Sequence, residues 1–474
     1  MIGQILKLEL TNWLRNRRIF LLIFLLALSL AGSAIWGTRA DIDRQRGHHD
    51  AGKAARAQWE GKGAANPHGM AHFGDFVFRP TGPLARLDRG VQARLGKVLR
   101  VEGHRQGTPL HSDAARAGTL ARFSPPDAAF LIQIVTPLLL IFLGSTGLAA
   151  DRETGRLRLL LTQGTGAGSI LAGHFFALWG LGIALLFIVM ISSVATSAAF
   201  GSATDMLNAR LIGFFVMHAA YLAVVTAGVV AATVWLRSAR TALFSLLAVW
   251  ILGTVVVPRT TSALAGSIYA LPSQDAFQAA MRDAREAGPD GHNPEDAHLE
   301  QLRQKMLAEH DVETVEELPL NFDGIAMQVD EEFGNQVWDQ HYGNLRNLLK
   351  RQGNLASRIA LINPYQAIDH VSMAIAGTDL MHDFSFQQQV EAYRRKMVEA
   401  LNHEHAYGGS KTGDWSWEAS AEFYAGMKPF NYEPLGMKEV ARARASEFLT
   451  LCAWLPLLLV ALIRCSHRLE RRAI

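Results

Sequence analysis

Histidine, glycine–lysine and cysteine are the residue types whose spacing in this chain bears on chemistry. His48 and His49 are adjacent, His68 and His72 lie four apart, and His403 and His405 lie two apart. Neutral imidazole ligates zinc and its neighbours, so each pair could be a fragment of a metal site. No pair is completed by a carboxylate or cysteine set at ligand spacing. His403-Glu404-His405 is not HExxH, and residues at i and i+2 do not share a helix face. Solvated loop histidines and no bound metal are therefore expected. An extracytoplasmic metalloenzyme using His403 and His405 is a rival that predicts stoichiometric zinc. The run from Gly90 to Lys97 has one spacer too many for a Walker phosphate loop and no following hydroxyl. Gly408-Gly409-Ser410-Lys411-Thr412 lacks the earlier glycine. The chain is thus expected to bind no ATP of its own and not to be an enzyme. Its two cysteines, Cys452 and Cys465, form no CxxC pair and lie outside the long polar segments, which must fold without disulfides.

The elements that would position such groups are membrane helices. Charged residues are 19% of the 474, below the usual quarter of soluble domains, and they are missing from long windows. Six windows approach the roughly 20 apolar residues that cross about 30 Å of hydrocarbon: 19–36, 128–150, 170–199, 211–236, 241–257 and 448–463. Lipid offers the backbone no hydrogen-bond partners, so all six are expected to be helices. The second opens on Ser124-Pro125-Pro126-Asp127, a helix-start signal. The fifth is expected to stop at Pro258-Arg259. The short sixth is expected to begin within the amphipathic stretch 437–447.

Basic residues orient these spans. Lys7, Arg15, Arg17 and Arg18 precede the first, and Arg152, Arg156 and Arg158 follow the second. Arg237 and Arg240 separate the fourth and fifth, and Arg464, Arg468, Arg471 and Arg472 follow the sixth. With six spans these segments share one side, whereas the short loop 201–210 holds a single arginine. Both termini are then cytoplasmic, with a loop at 151–169 and a tail at 464–474. Residues 37–127 form an extracytoplasmic loop and 259–446 an extracytoplasmic domain. A cleaved signal peptide is the competing account of the start, but its apolar core would be long for one.

The expected fold is an α-helical polytopic membrane protein with six transmembrane helices, an N-terminal interfacial helix and a mainly helical extracytoplasmic domain. In residues 1–18, Ile2, Ile5, Leu6, Leu10 and Trp13 share one helical face, interrupted by Leu8 and Glu9, as in a helix lying at the cytoplasmic interface. In the outer domain, helices are expected at 275–287, 295–309, 329–353 and 386–401 from apolar spacing. Inside the windows the only ionisable groups are His174 and His218. A hydrogen bond to a neighbouring helix is the simpler role for His218, and headgroup contact the simpler role for His174. No Asp, Glu or Lys lies in a span, so ion-coupled transport lacks its usual carboxylates and energy must come from elsewhere. A net charge of +3 gives no ground for nucleic-acid binding.

The loop after the second span carries the most information. Asp151, Arg152 and Glu153 start it, Gly155 follows, and Leu157, Leu160 and Leu161 are spaced ahead of Gly164. A short amphipathic helix at the membrane surface is expected, either a partner-binding face or a plain interfacial turn. This pattern resembles the coupling helix of ABC-2 type transporter permeases, which docks on a separate ATP-binding subunit; Arg156 stands where threonine is common. The resemblance implies that Asp151, Arg152, Glu153, Gly155, Leu157, Leu160 and Leu161 couple to that ATPase, and that Ile5, Leu6 and Trp13 belong to the family's connecting helix. Residues 72–80 with 83–85, and 363–368 with 376–379 and 393–394, are similar to the bacterial subgroup with large extracytoplasmic insertions after the first and fifth spans. The resemblance implies two permeases, identical or related, with two ATPases that bind ATP and Mg, in a bacterial cytoplasmic membrane. The rival from another class is a membrane-anchored sensor or assembly scaffold without transport.

Overall fold

The computed structural model describes residues 1–112, 127–200, 208–236, 238–293 and 295–473; Ser124–Pro126, Arg237 and most of the 201–210 loop lie outside them. Helix α1 (Ile2–Arg15) ends at Asn16, whose extended backbone turns the chain. The Asn16 side chain then accepts the first amides of α2 (Arg17–Glu60) from Arg18 and Ile19. Helix α2 runs 44 residues, far beyond the apolar window 19–36. This corrects the expectation of a loop from residue 37. The polar half is held by Arg39–Asp43 and Arg56–Glu60 pairs at i, i+4. It is also held by tertiary contact: Thr38 hydrogen-bonds Ser193, and Arg46 donates to the Phe200 carbonyl. Gly37 does not end the helix because its bare Cα is where the segment around Arg86 crosses. A Cβ there would stand 2.3 Å from the Arg86 carbonyl oxygen.

A short helix α3 (Pro67–Phe73) follows, and β1 (Asp75–Phe78) pairs antiparallel with β2 (Val98–Val101). Helix α4 (Ala128–Glu153) starts at Asp127, which caps the Phe130 amide. Then come α5 (Arg156–Thr162), α6 (Ala167–Ala199), α7 (Ala209–Trp235) and α8 (Ala239–Ile268). The polar segment adds α9 (Gln274–Glu286), α10 (Ala297–His310), α11 (Phe322–Ala360), α12 (Pro364–Ala376) and α13 (Leu380–Tyr407) before α14 (Ala445–Ala473) closes the chain. The chain is mostly helical, and α2, α4, α6, α7, α8 and α14 are six helices long and apolar enough to cross a membrane. Leu140, Leu186, Phe214 and Leu222 fill the bundle centre. Phe244 and Val249 on α8 and Leu457 on α14 point outward, as side chains facing hydrocarbon would.

Helix α8 does not stop at Pro258. It passes through a π-turn at Leu252–Val256 and continues to Ile268. Helix α4 does the same, with a π-turn at Leu131–Val135 just before Pro137. A wide turn relieves the proline ring's clash with the preceding turn, and side chains take up the freed carbonyls. Pro137 has no N–H for the Gln133 carbonyl, and the Tyr221 hydroxyl donates there at 2.9 Å. Trp250 donates to Ile134 O at 3.2 Å, and Asn363 donates to Gly253 O at 2.8 Å. His218 is buried between the Gln133 side chain at 3.0 Å and Phe214 O at 2.7 Å, a helix-to-helix link as expected.

The two polar insertions share one core. Trp59, Met70, Val77 and Leu99 of the first pack with Phe386, Val390, Met397 and Leu401 of the second. The stretches that carry the subgroup resemblance meet in space: Leu84 N–H donates to Ala376 O and Val91 N–H to Thr378 O, both at 3.1 Å.

Candidate functional site

At the end of the bundle opposite the polar domain, α1, α5, the α7–α8 turn and the last turns of α14 come together. Ser466 lies 3.5 Å from where a Cβ on Gly168 would sit, and Arg468 stacks 3.9 Å over the Trp235 ring. Helix α5 forms because Gly155 leaves α4 in the left-handed conformation (φ 75°), which a side chain would disfavour. Gly164 (φ 83°) releases the chain into α6 in the same way.

The residues expected to couple to a partner divide into an inner and an outer set. Asp151 is buried and is bound by Arg156. Arg152 turns inward and donates to Leu236 O at 2.8 Å and Thr233 O at 3.0 Å, closing the C-terminus of α7. Leu157 is buried, while Leu160 and Leu161 are half-buried against the bundle. Glu153 is exposed and accepts the Ala239 amide at 3.3 Å, at the start of α8. Gly155, Arg158 and Leu159 complete the outer face, Leu159 being 56% exposed.

Ile5 and Trp13 of α1 are buried and Leu6 half-buried, whereas Ile2 and Leu10 are exposed. The inward stripe is Ile5-Glu9-Trp13, at i, i+4 and i+8. Glu9 therefore does not spoil the stripe; it is its centre. Its carboxylate lies 3.4 Å from His174 Nδ1, and His174 Nε2 lies 3.9 Å from Asp151. Buried Glu9, His174 and Asp151, with the exposed Arg156 closing the series at the surface, thus join α1, α6, α4 and α5. His174 faces these carboxylates rather than headgroups. Burial and then the charge of Asp151 push the Glu9 carboxyl up to about 7, against the pull of Arg156. Sequence reading named Glu9 as a break in the apolar stripe and His174 as a headgroup contact, and did not foresee that the two meet. Glu9 lies four residues from both Ile5 and Trp13, which was its signal; the contact of His174 with the carboxylates had none.

The close approach of α1 requires Gly173, where a Cβ would lie 2.7 Å from the Ile5 side chain. Gly173→Leu is expected to weaken docking of α1 by about 1–3 kcal/mol, the usual cost of overpacking. Spin-label distances between α1 and α6 should lengthen and broaden; unchanged distances would show that the contact is dispensable.

The histidines considered as ligands land in different settings. His48 lies beside the Phe78 ring. His403 is exposed, and His405 is buried with Nε2 3.3 Å from Asn321, so the two do not meet on one face. His68 and His72 do share a face of α3, and His104 and His292, which sequence reading passed over, join them.

Residues 276–433 match a family model described as a domain of unknown function (DUF3526). The match covers α9 to α13 and stops short of all six long helices. No curated protein matches the chain.

Proposed function

We propose that this chain is the membrane-spanning permease subunit of an ATP-driven exporter of the ABC-2 type. It sits in a bacterial cytoplasmic membrane with both termini inside and the polar domain outside. A separate subunit binds ATP and Mg and docks on α5 and α1, and a second permease, identical or related, completes the path. The observation that carries the proposal is the buried Glu9–His174–Asp151 series, held from the surface by Arg156, beneath an exposed face of Glu153, Arg158 and Leu159. A lever must be rigid where it meets the load and exposed where it is pushed. Leu157, Asp151 and Arg152 anchor α5 to α4 and α7, while Glu153, Arg158 and Leu159 are free to meet a partner. Closure of a nucleotide-bound dimer pushes α5 inward, and the polar chain passes that displacement to α1, α4 and α6 together. The long helices then exchange an inward-open packing for an outward-open one. The absence of Asp, Glu and Lys from the six apolar windows fits a transporter whose energy enters from this face.

The test is whether a Walker-type ATPase encoded beside this chain's gene co-purifies with it. Glu153→Arg combined with Arg158→Glu reverses two exposed charges and is expected to reduce permease-stimulated ATP hydrolysis by roughly tenfold, the scale of about 1.4 kcal/mol at an interface. Thermal stability should fall by no more than about 1 kcal/mol, because both side chains are exposed and only the Glu153 contact with the Ala239 amide is lost. Full assembly and full stimulation by the variant would remove the coupling assignment. If no ATPase associates with the wild-type chain, the sensor or scaffold reading takes its place.

A further inference from the structure

Four imidazoles from three separate segments converge on the surface of the polar domain. His68 and His72 sit one turn apart on α3, with their Nε2 atoms 3.0 Å apart. His104 comes from the turn after β2, and His292 from the loop between α9 and α10. One ring nitrogen from each of the four lies within 4.8 Å of the others. Imidazoles held tetrahedrally at about 2.0–2.1 Å from a zinc ion place their nitrogens roughly 3.4 Å apart. The His68–His72 separation of 3.0 Å and the 4.8 Å limit on all pairs bracket that value.

Edge-to-face ring packing alone would also bring histidines together, but it does not account for what surrounds them. His104 Nδ1 lies 3.2 Å from Glu331 and 3.5 Å from Asp330. Both His104 ring nitrogens are buried without a hydrogen-bond partner among the described residues, so Nε2 is left to the cluster while Nδ1 faces the two carboxylates. His292 Nδ1 faces Asp290 at 3.6 Å. A carboxylate on the far nitrogen is the usual way to orient a metal-bound imidazole and raise its basicity. Glu331 is in turn fixed by Arg394 at 2.9 Å.

The backbone is also arranged around the cluster. His104 adopts a left-handed conformation (φ 62°), unfavourable for a residue with a side chain. Its amide is bound by Glu331, and the neighbouring Gly103 amide donates to Ala71 O on α3 at 3.0 Å. Gly291 brings the His292 loop against α11, where a Cβ would lie 2.9 Å from the Met327 Cα. Asn66 caps α3 through the Gly69 amide and donates to the carbonyls of Trp415 and Trp417, tying α3 to the second insertion. His72 and His292 are exposed, so an ion can enter from solvent.

We propose that His68, His72, His104 and His292 form a binding site for one divalent transition ion of the zinc class, and that the ion staples the first polar insertion to the second. A ligand set made only of nitrogen selects the borderline first-row ions over calcium, magnesium or manganese. Three ligands belong to the segment before α4 and one to the segment after α8, so an ion held by all four adds a crosslink between two insertions that are far apart in the chain and already share a core.

The experiment uses the full chain in detergent, carried on a histidine-free tag and stripped with chelator. Zn²⁺ titration by calorimetry should give one ion per chain. Co²⁺ should produce the intense visible absorption of tetrahedral coordination, displaced by Zn²⁺. Zn²⁺ should raise the thermal midpoint by roughly 5 °C at saturation. His292→Ala is expected to lower Zn²⁺ affinity more than about 100-fold, and Glu331→Gln by roughly 10–100-fold, as for an outer partner. His292 is an exposed loop residue, so the metal-free variant should melt with the wild type, and His298→Ala is the control that retains binding. Absence of stoichiometric Zn²⁺, or wild-type affinity in both His68→Ala and His292→Ala, would overturn the proposal. It stands or falls independently of ATPase coupling, which is read at the other end of the molecule.

Discussion

Arg394→Ala is expected to destabilise the polar domain by about 3–5 kcal/mol, the cost of removing one partner from a buried ion pair. Arg394 is 1% exposed. Its guanidinium donates to Glu331 and Glu391 at 2.9 Å each, donates to Asn335, and lies 4.7 Å over the Trp338 ring. Four of its five N–H groups are in use, and the alanine variant leaves the buried Glu331 without its guanidinium while Glu391 keeps Arg395 at 2.8 Å. Lysine restores a charge but not the fork, so Arg394→Lys should recover little. A thermal melt followed by near-ultraviolet circular dichroism should fall by roughly 10 °C for the alanine variant. Adding Glu331→Gln to Arg394→Met should return part of the loss, because the stranded charge is then removed with its partner. A loss below about 1 kcal/mol in the alanine variant would mean that water reaches these carboxylates and that the network is not a buried one.

Gly377→Val should cost nearly as much, for a different reason. Gly377 ends α12 with φ 75°, and a Cβ at this position would lie 2.5 Å from Pro83 Cδ. The left-handed conformation costs a side-chain-bearing residue about 1–2 kcal/mol, and forced overpacking adds about 1–3 kcal/mol. The clash falls where the first insertion docks on the α12–α13 junction, so its relief must separate Pro83 and Leu84 from Ala376. Protease cleavage within residues 80–95 should therefore accelerate along with the drop in stability. Gly63→Ala is the comparator, because Gly63 has a similar φ of 67° and open space where the Cβ would stand. Equal losses in the two variants would show that backbone conformation, and not the contact with Pro83, sets the requirement for glycine.

How much of this was legible in the sequence follows from how local each determinant is. Asp127 announces a helix start because a cap needs only a side chain and the next amides. The polar extension of α2 carried no such signal. Its glycines read as loop, and only the crossing of the Arg86 segment explains Gly37. Pro258 read as a stop because the π-turn that accommodates it depends partly on Asn363, more than a hundred residues away in the chain. Of the expected coupling residues, the leucine spacing was readable. Which side chains face the bundle depended on where α6 and α7 lie.

Consecutive residues were enough to establish that six segments are long and apolar enough to cross a membrane, that the polar remainder is mainly helical, and that α1 has a buried face. Apolar run length and helical period are properties of consecutive residues, and hydrocarbon or a packed core reads them directly. Only the tertiary structure decided that Glu9 and Asp151 flank His174, and that His68, His72, His104 and His292 share one point. The reason is physical. An ion pair or a ligand set depends on distances between side chains, and those distances are set by the packing of whole helices rather than by the spacing of residues along the chain.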